Sequence, residues 1–127
     1  MRALVLDAGA LVAVERDDRD VHARLKAAQQ HGLDLRTTGI ILAQVWRDRR
    51  GRQARLSRIL AAVDVRPVDE QLGREAGILI GLAGTSDPMD ATIVLVSDTG
   101  DIVLTSDPLD ISHLAATAGK EIRVVEC

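Results

Sequence analysis

The residues best placed to do chemistry are aspartates. Asp7 ends the short apolar run 3–6 and is followed by Gly9, which puts it at the carboxyl end of a buried strand. Further along, Ser86-Asp87-Pro88-Met89-Asp90 and Ser106-Asp107-Pro108-Leu109-Asp110 share the pattern S-D-P-apolar-D, and each opens a helix. Asp at an N-cap, Pro at the first helical position and an acid two residues later are all favoured there, so capping alone accounts for each copy on local grounds. Topology adds a second reading. Ligands of open parallel sheets bind outside the carboxyl ends of the strands, where Asp7 and Asp107 both fall. Asp90 starts a helix too apolar for the surface, so its carboxylate faces a wet crevice or another polar group.

Three or four carboxylates in one crevice repel each other, which is tolerable only if protons or cations neutralise them. A hard divalent ion is the natural answer. With oxygen ligands and no Cys/His cluster, the donor set favours Mg²⁺ or Mn²⁺ over Zn²⁺. Such ions activate a water and stabilise the charge of a phosphodiester under attack, singly or as a pair about 3.5–4 Å apart.

The elements that must position these residues alternate. Strands are expected at 3–6, 33–37, 63–68, 102–105 and 122–125. A helix can begin at Leu11, and others are expected over 20–30, 39–48 with Thr37 or Thr38 as cap, after Gly51, before Gly84, over 88–97 and over 108–118. Leu56, Ile59, Leu60 and Val63 follow the i, i+3, i+4, i+7 stripe of an amphipathic helix, and Leu72, Ala76, Leu79, Ile80 and Ala83 make another. Alternation of this kind implies an α/β three-layer sandwich with a mostly parallel central sheet of about five strands. The expected organisation is one domain over 1–127, without linker or long repeat.

Composition narrows the function classes. Of 127 residues, 46% are hydrophobic and 28% charged, a globular balance; one Trp and no Phe or Tyr leave no aromatic platform for stacking bases. A net charge of −3 argues against coating nucleic acid by bulk electrostatics, so any such contact is concentrated locally. The single cysteine, Cys127, excludes an internal disulfide and fits a reducing compartment. The apolar run at the N-terminus is too short for a signal peptide, and no segment reaches the ~18 apolar residues of a membrane span. A cytoplasmic protein is expected.

At its aspartates the chain resembles the PIN domain, and within it the VapC-type toxins of bacterial toxin–antitoxin pairs. The matching pieces are Leu4-Val5-Leu6-Asp7-Ala8 with Leu11-Val12-Ala13, then Ile41-Leu42-Ala43-Gln44-Val45-Trp46-Arg47, then Asp87-Pro88-Met89-Asp90-Ala91-Thr92-Ile93, and Val103-Leu104-Thr105-Ser106-Asp107. They run in order over essentially the whole chain. The resemblance implies a Mg²⁺- or Mn²⁺-dependent ribonuclease with Asp7 and Asp90 as principal metal ligands and Asp107 as a further acid. Asp110 is an alternative acid in the last motif, and Asp87 is either ligand or cap. Thr105 and Ser106 are candidates to hold a phosphate or a metal-bound water, or to satisfy backbone groups. The resemblance also implies an antitoxin peptide as partner and a homodimer.

One position departs from the family pattern. Where a Glu is usual, Gln44 stands, and an amide offers a carbonyl oxygen but neither negative charge nor a base. Weaker metal binding, or a module that binds RNA or protein without cutting, is therefore the competing expectation. Arg47, Arg49, Arg50, Arg52, Arg55 and Arg58, interrupted among acids only by Asp48, form either a guide for RNA, an antitoxin contact or an ordinary solvated face. His22, His31 and His113 are scattered and suit surface or capping roles, and Trp46 suits core or interface packing. Gly9 stands where a haloacid-dehalogenase-type phosphatase needs its second acid, the acid and lysine pattern of a receiver domain is absent, and there is no glycine-rich phosphate loop.

Overall fold

The structure is a computed structural model that describes residues 2–47 and 49–127, and of Arg49 the backbone alone. Its elements are β1 (Ala3–Leu6), α1 (Ala8–Glu15), α2 (Arg19–Gln30), β2 (Asp34–Thr38), α3 (Gly39–Val45), a 3₁₀ turn (Arg49–Gly51), α4 (Ala54–Leu60), β3 (Val63–Arg66), α5 (Glu70–Ala83), α6 (Pro88–Leu95), β4 (Ile102–Thr105), α7 (Pro108–Thr117) and β5 (Arg123–Glu126). The five strands form one sheet in the order β3-β2-β1-β4-β5, and every neighbouring pair is parallel. The expected α/β sandwich is therefore what forms.

This strand order follows from crossover chemistry. Parallel neighbours need a return path over a face of the sheet, and right-handed crossovers are the rule. From β1 the chain steps outward through β2 to β3, which puts α1 to α4 on one face. It then returns past β1 to β4 and β5 in the opposite direction, which puts α5, α6 and α7 on the other. The direction reverses between β1 and β4, whose carboxyl ends therefore flank the switch point where open α/β sheets hold ligands. Leu4, Val5 and Leu6 pair with Ile102, Val103 and Leu104, so Asp7 and Thr105 come out of the sheet side by side.

The central strands are buried through their length, and α6 is buried at Asp90, Ala91, Thr92, Ile93 and Val94. Helix α5 explains this, since it lies over α6 with Ala76 and Leu79 inward. Each fully buried aliphatic side chain of this layer stabilises the fold by about 1.5–3 kcal/mol. At the amino end of the sheet, Asp101 accepts from the backbone N–H groups of Ala3 (2.8 Å) and Asp98 (2.7 Å). Beside it, Lys120 Nζ donates to the carbonyls of Val94, Leu95 and Ser97, closing the carboxyl end of α6. No single described helix is long and apolar enough to cross a membrane.

Several boundaries differ from the sequence reading. Helix α1 starts at Ala8 rather than Leu11, because Asp7 itself is its N-cap. Strands β2 and β5 are each displaced by one residue, and β3 stops before Pro67, which has no N–H for the ladder. The helix expected over 39–48 ends at Val45, and its expected end, Asp48, lies outside the described residues. The cause is Gln53, whose Nε2 donates to Val45 O (2.8 Å) while its Oε1 accepts from Arg47 N (2.6 Å). That side chain occupies the helix's last carbonyl and draws Trp46 into extended backbone. Ile41 and Val45 are buried, and Leu42 and Trp46 are half-buried against the core.

Candidate metal centre

Three elements deliver one carboxylate each to the carboxyl edge of the sheet. Asp7 follows β1, Asp107 follows β4 by two residues, and Asp90 is the third residue of α6. One carboxylate oxygen from each lies within 4.8 Å of the others, with Asp7 and Asp90 buried and Asp107 exposed to solvent. Asp7 is the most constrained. Its Oδ1 accepts from Ala8 N (2.8 Å), and its Oδ2 accepts from the hydroxyl of Thr105 (2.7 Å), itself wholly buried. The same Thr105 oxygen accepts from Asp107 N (2.9 Å), so one hydroxyl ties both strand ends together.

Burial governs the electrostatics. Desolvation raises the Asp7 carboxyl above its ordinary value, against the hydrogen bonds from Thr105 and Ala8 that favour its charged form, and Asp107 and Asp87 add to the rise. For Asp90, burial comes first, followed by repulsion from Asp7, Asp87, Asp107 and Asp110, and together they push it up to about 7. The charges that raise these two carboxylates are those of neighbouring aspartates. Such a cluster is stable at neutral pH when it is protonated or when a cation joins it. Three hard oxygen donors in a solvent-open edge fit a divalent ion of the Mg²⁺ or Mn²⁺ type.

The remaining candidates separate by position. Asp87 caps α6, its Oδ1 accepting from Met89 N (2.9 Å) and Asp90 N (3.3 Å). Asp110 is exposed in the first turn of α7 and lines, with Thr85, Ser86, Asp87, Asp90 and Leu114, a cavity of about 240 Å³. Ser106 is exposed and stands over Gly9: a Cβ at residue 9 would lie 2.5 Å from Ser106 Oγ and 2.8 Å from Ser106 Cβ. Gln44 is exposed on α3, and among the described residues no hydrogen bond joins it to the three aspartates. Another cavity of about 240 Å³, between α2 and the β1-β4-β5 face, is mostly apolar and is lined by none of these acids.

Two contributors to the site carried no usable signal in the sequence. Gly9 reads as part of a strand-ending turn, yet its role is to let α1 approach Ser106. Thr92 reads as one more residue of an apolar helix, yet its hydroxyl donates to Met89 O (2.7 Å) and meets that of Thr38 at 3.1 Å, joining the start of α6 to the end of β2. The arginine stretch is partly engaged elsewhere. Arg47 folds back on the carbonyls of Ala43 and Trp46, and Arg55 reaches Glu15 O and the Asp17 carboxylate. His31 Nδ1 lies 2.7 Å from Ala27 O at the end of α2, and His113 Nε2 lies 2.8 Å from Ala83 O.

No family model matches the sequence, and no curated protein sequence matches it. Among solved structures, the chain is similar to one in the crystal structure of VapBC2 from Rickettsia felis bound to a DNA fragment from their promoter. The TM-score is 0.69, with 97% of this chain and 98% of that one covered. At 11% identity the likeness is one of fold. The three-layer architecture with a mostly parallel sheet expected from the sequence thus agrees in fold with that chain over nearly the full length.

Proposed function

We propose that residues 1–127 form one PIN-like domain acting as a Mg²⁺- or Mn²⁺-dependent endoribonuclease, the toxin of a VapBC-type pair in the cytoplasm. The observation that carries this reading is the convergence of Asp7, Asp90 and Asp107 at the switch point of a parallel sheet, where neighbouring aspartates raise the two buried carboxyls. The fold likeness to a VapBC2 chain supports the toxin–antitoxin assignment and an antitoxin as partner.

In this reading Asp7, Asp90 and Asp107 hold the ion. When bound, it offsets their charge and supplies an electrophile for the phosphodiester and an activated water. The chain's own part is orientation. Thr105 fixes the Asp7 carboxylate and the Asp107 backbone, Asp87 fixes the start of α6, and exposed Asp107 leaves the edge open to RNA. Cleavage of single-stranded and structured RNA with Mg²⁺, Mn²⁺ or EDTA, for wild type beside Asp90→Asn, is the test. Metal-dependent cleavage lost in the variant is expected; activity in EDTA, or undiminished in the variant, overturns the proposal.

Gln44 favours one second reading, a module that binds RNA or a protein partner without cutting. Its neutral side chain adds no charge to the site. RNA retention by wild type without cleavage, and cleavage gained in Gln44→Glu, would select it.

A further inference from the structure

On the α2 side of the sheet, the cover over β4 and β5 is incomplete. Arg24, Ala27, Ala28 and His31 follow the i, i+3, i+4, i+7 spacing, so they form one stripe of α2 beside these strands. The two alanines end at Cβ and leave a groove of about 240 Å³ against Ile102, Leu104 and Val125. Protein interiors hold few voids larger than a water molecule, and this one has room for about eight at ~30 Å³ each. Ile102 and Val125 are only half-buried, so apolar surface of the sheet stays open there.

The two ends of the groove differ in charge. Near the carboxyl end of the sheet, Arg24 acts on the Cys127 thiol together with Asp18 and Glu126, so its charge is balanced by acids. At the amino end stand Arg123, the first residue of β5, and His31, whose Nδ1 lies 2.7 Å from Ala27 O. Among the described residues Arg123 has neither an ion pair nor a side-chain hydrogen bond, and no acid lines the groove.

From this arrangement we infer a binding site for a medium-chain aliphatic carboxylate, its chain along Ala27 and Ala28 and its carboxylate on Arg123. Burial of the chain supplies the driving force, and a guanidinium matches a carboxylate through two parallel N–H···O bonds. Arg24 and His31 are about 10 Å apart along the helix axis, which sets the length of chain the groove accepts. An aliphatic amine would meet the like charge of Arg123 without compensation. An acid with no chain would leave the groove wet.

None of Asp7, Asp90 and Asp107 lines the groove, so the site stands or falls separately from the nuclease reading. Octanoate is the probe. In proton–nitrogen correlation spectra of the full chain, titration to about 10 mM should shift the amides of Ala27, Ala28, His31, Ile102 and Arg123, with a dissociation constant on the order of 1 mM. Acetate and octylamine should leave them in place. Ala27→Leu puts a good helix former on an exposed position and fills the groove, so it should keep the melting temperature while weakening octanoate at least tenfold. Arg123→Gln should weaken it at least fivefold, and Arg24→Gln by less than about twofold. Absence of shifts at about 10 mM overturns the inference. So does octylamine binding as tightly as octanoate, or an affinity unchanged in both Ala27→Leu and Arg123→Gln.

Discussion

The pattern S-D-P-apolar-D occurs twice, and the structure uses its two aspartates in opposite ways. In 86–90 the first acid, Asp87, caps α6 through two backbone N–H groups, and the second, Asp90, is buried in the cluster. In 106–110 the first acid, Asp107, makes no side-chain cap bond and joins the cluster, while the second, Asp110, is exposed. What differs is the element before each copy. The second follows β4 directly, so its first acid emerges at the strand mouth, where Thr105 takes the Asp107 N–H. The first follows the loop after α5, and the helix it opens is buried, so the acid one turn in reaches the sheet edge. The same local signature thus sends its second acid to the cluster in one copy and its first acid in the other, and only the first copy forms a side-chain cap.

This contrast is sharpest in paired substitutions. Asp90→Asn should lower metal-dependent RNA cleavage by about 100-fold or more, roughly 3 kcal/mol of transition-state stabilisation, whereas Asp110→Asn should stay within about threefold. Equal losses in both would erase the distinction between the copies. Titration calorimetry with Mn²⁺ should show the same ranking.

The next effect is one of pH. An acid whose native pKa lies above its unfolded value binds more protons when folded, so stability falls as pH rises from the unfolded value, near 4, to about 7 for Asp90. In EDTA the unfolding free energy should decline across that window by at most about 1.4 kcal/mol per pH unit from this group, with the melting temperature falling alongside. Asp90→Asn should flatten the decline, and Mg²⁺ should restore stability at pH 8, where the carboxylates are charged. An identical slope in wild type and variant would show that Asp90 is not strained by its neighbours.

Smaller again is the steric support of the second copy. Gly9→Ala drives a methyl group into Ser106 and should cost about 1–3 kcal/mol in urea unfolding, with Ser106→Gly recovering part of it. Smallest is the cap. Asp87→Ala should cost about 1 kcal/mol, a fall of a few degrees in melting temperature. Asp107→Asn should leave the metal-free melting temperature unchanged or higher, since it loses no cap bond and removes a repelling charge, yet it should abolish most of the Mg²⁺-induced rise. Calorimetry of both variants with and without Mg²⁺ checks the pair.

Much of this was legible in the residues. Periodicity placed five strands and seven helices in order, because amphipathic stripes, caps and turn glycines are local physics. Alternation implied the parallel sheet, and Asp7, Asp90 and Asp107 stood out as acids at strand ends or in an apolar helix. The early end of α3 was not legible, because it depends on Gln53 reaching back across the turn. Nor was the Gly9–Ser106 contact, which joins residues nearly a hundred positions apart.

The sequence by itself determined the elements, the oxygen-rich character of the site and the candidates for it. Both members of each pair, Asp87 with Asp90 and Asp107 with Asp110, satisfy the same local helix-start rules, and the reading favoured Asp90 for its apolar helix and Asp107 for the strand before it. What only the tertiary structure decided is that Asp7, Asp90 and Asp107 lie together, through the reversal of strand order between β1 and β4 and the burial of α6 beneath α5. Convergence is a property of where chain ends meet in space, and no window of neighbouring residues contains it.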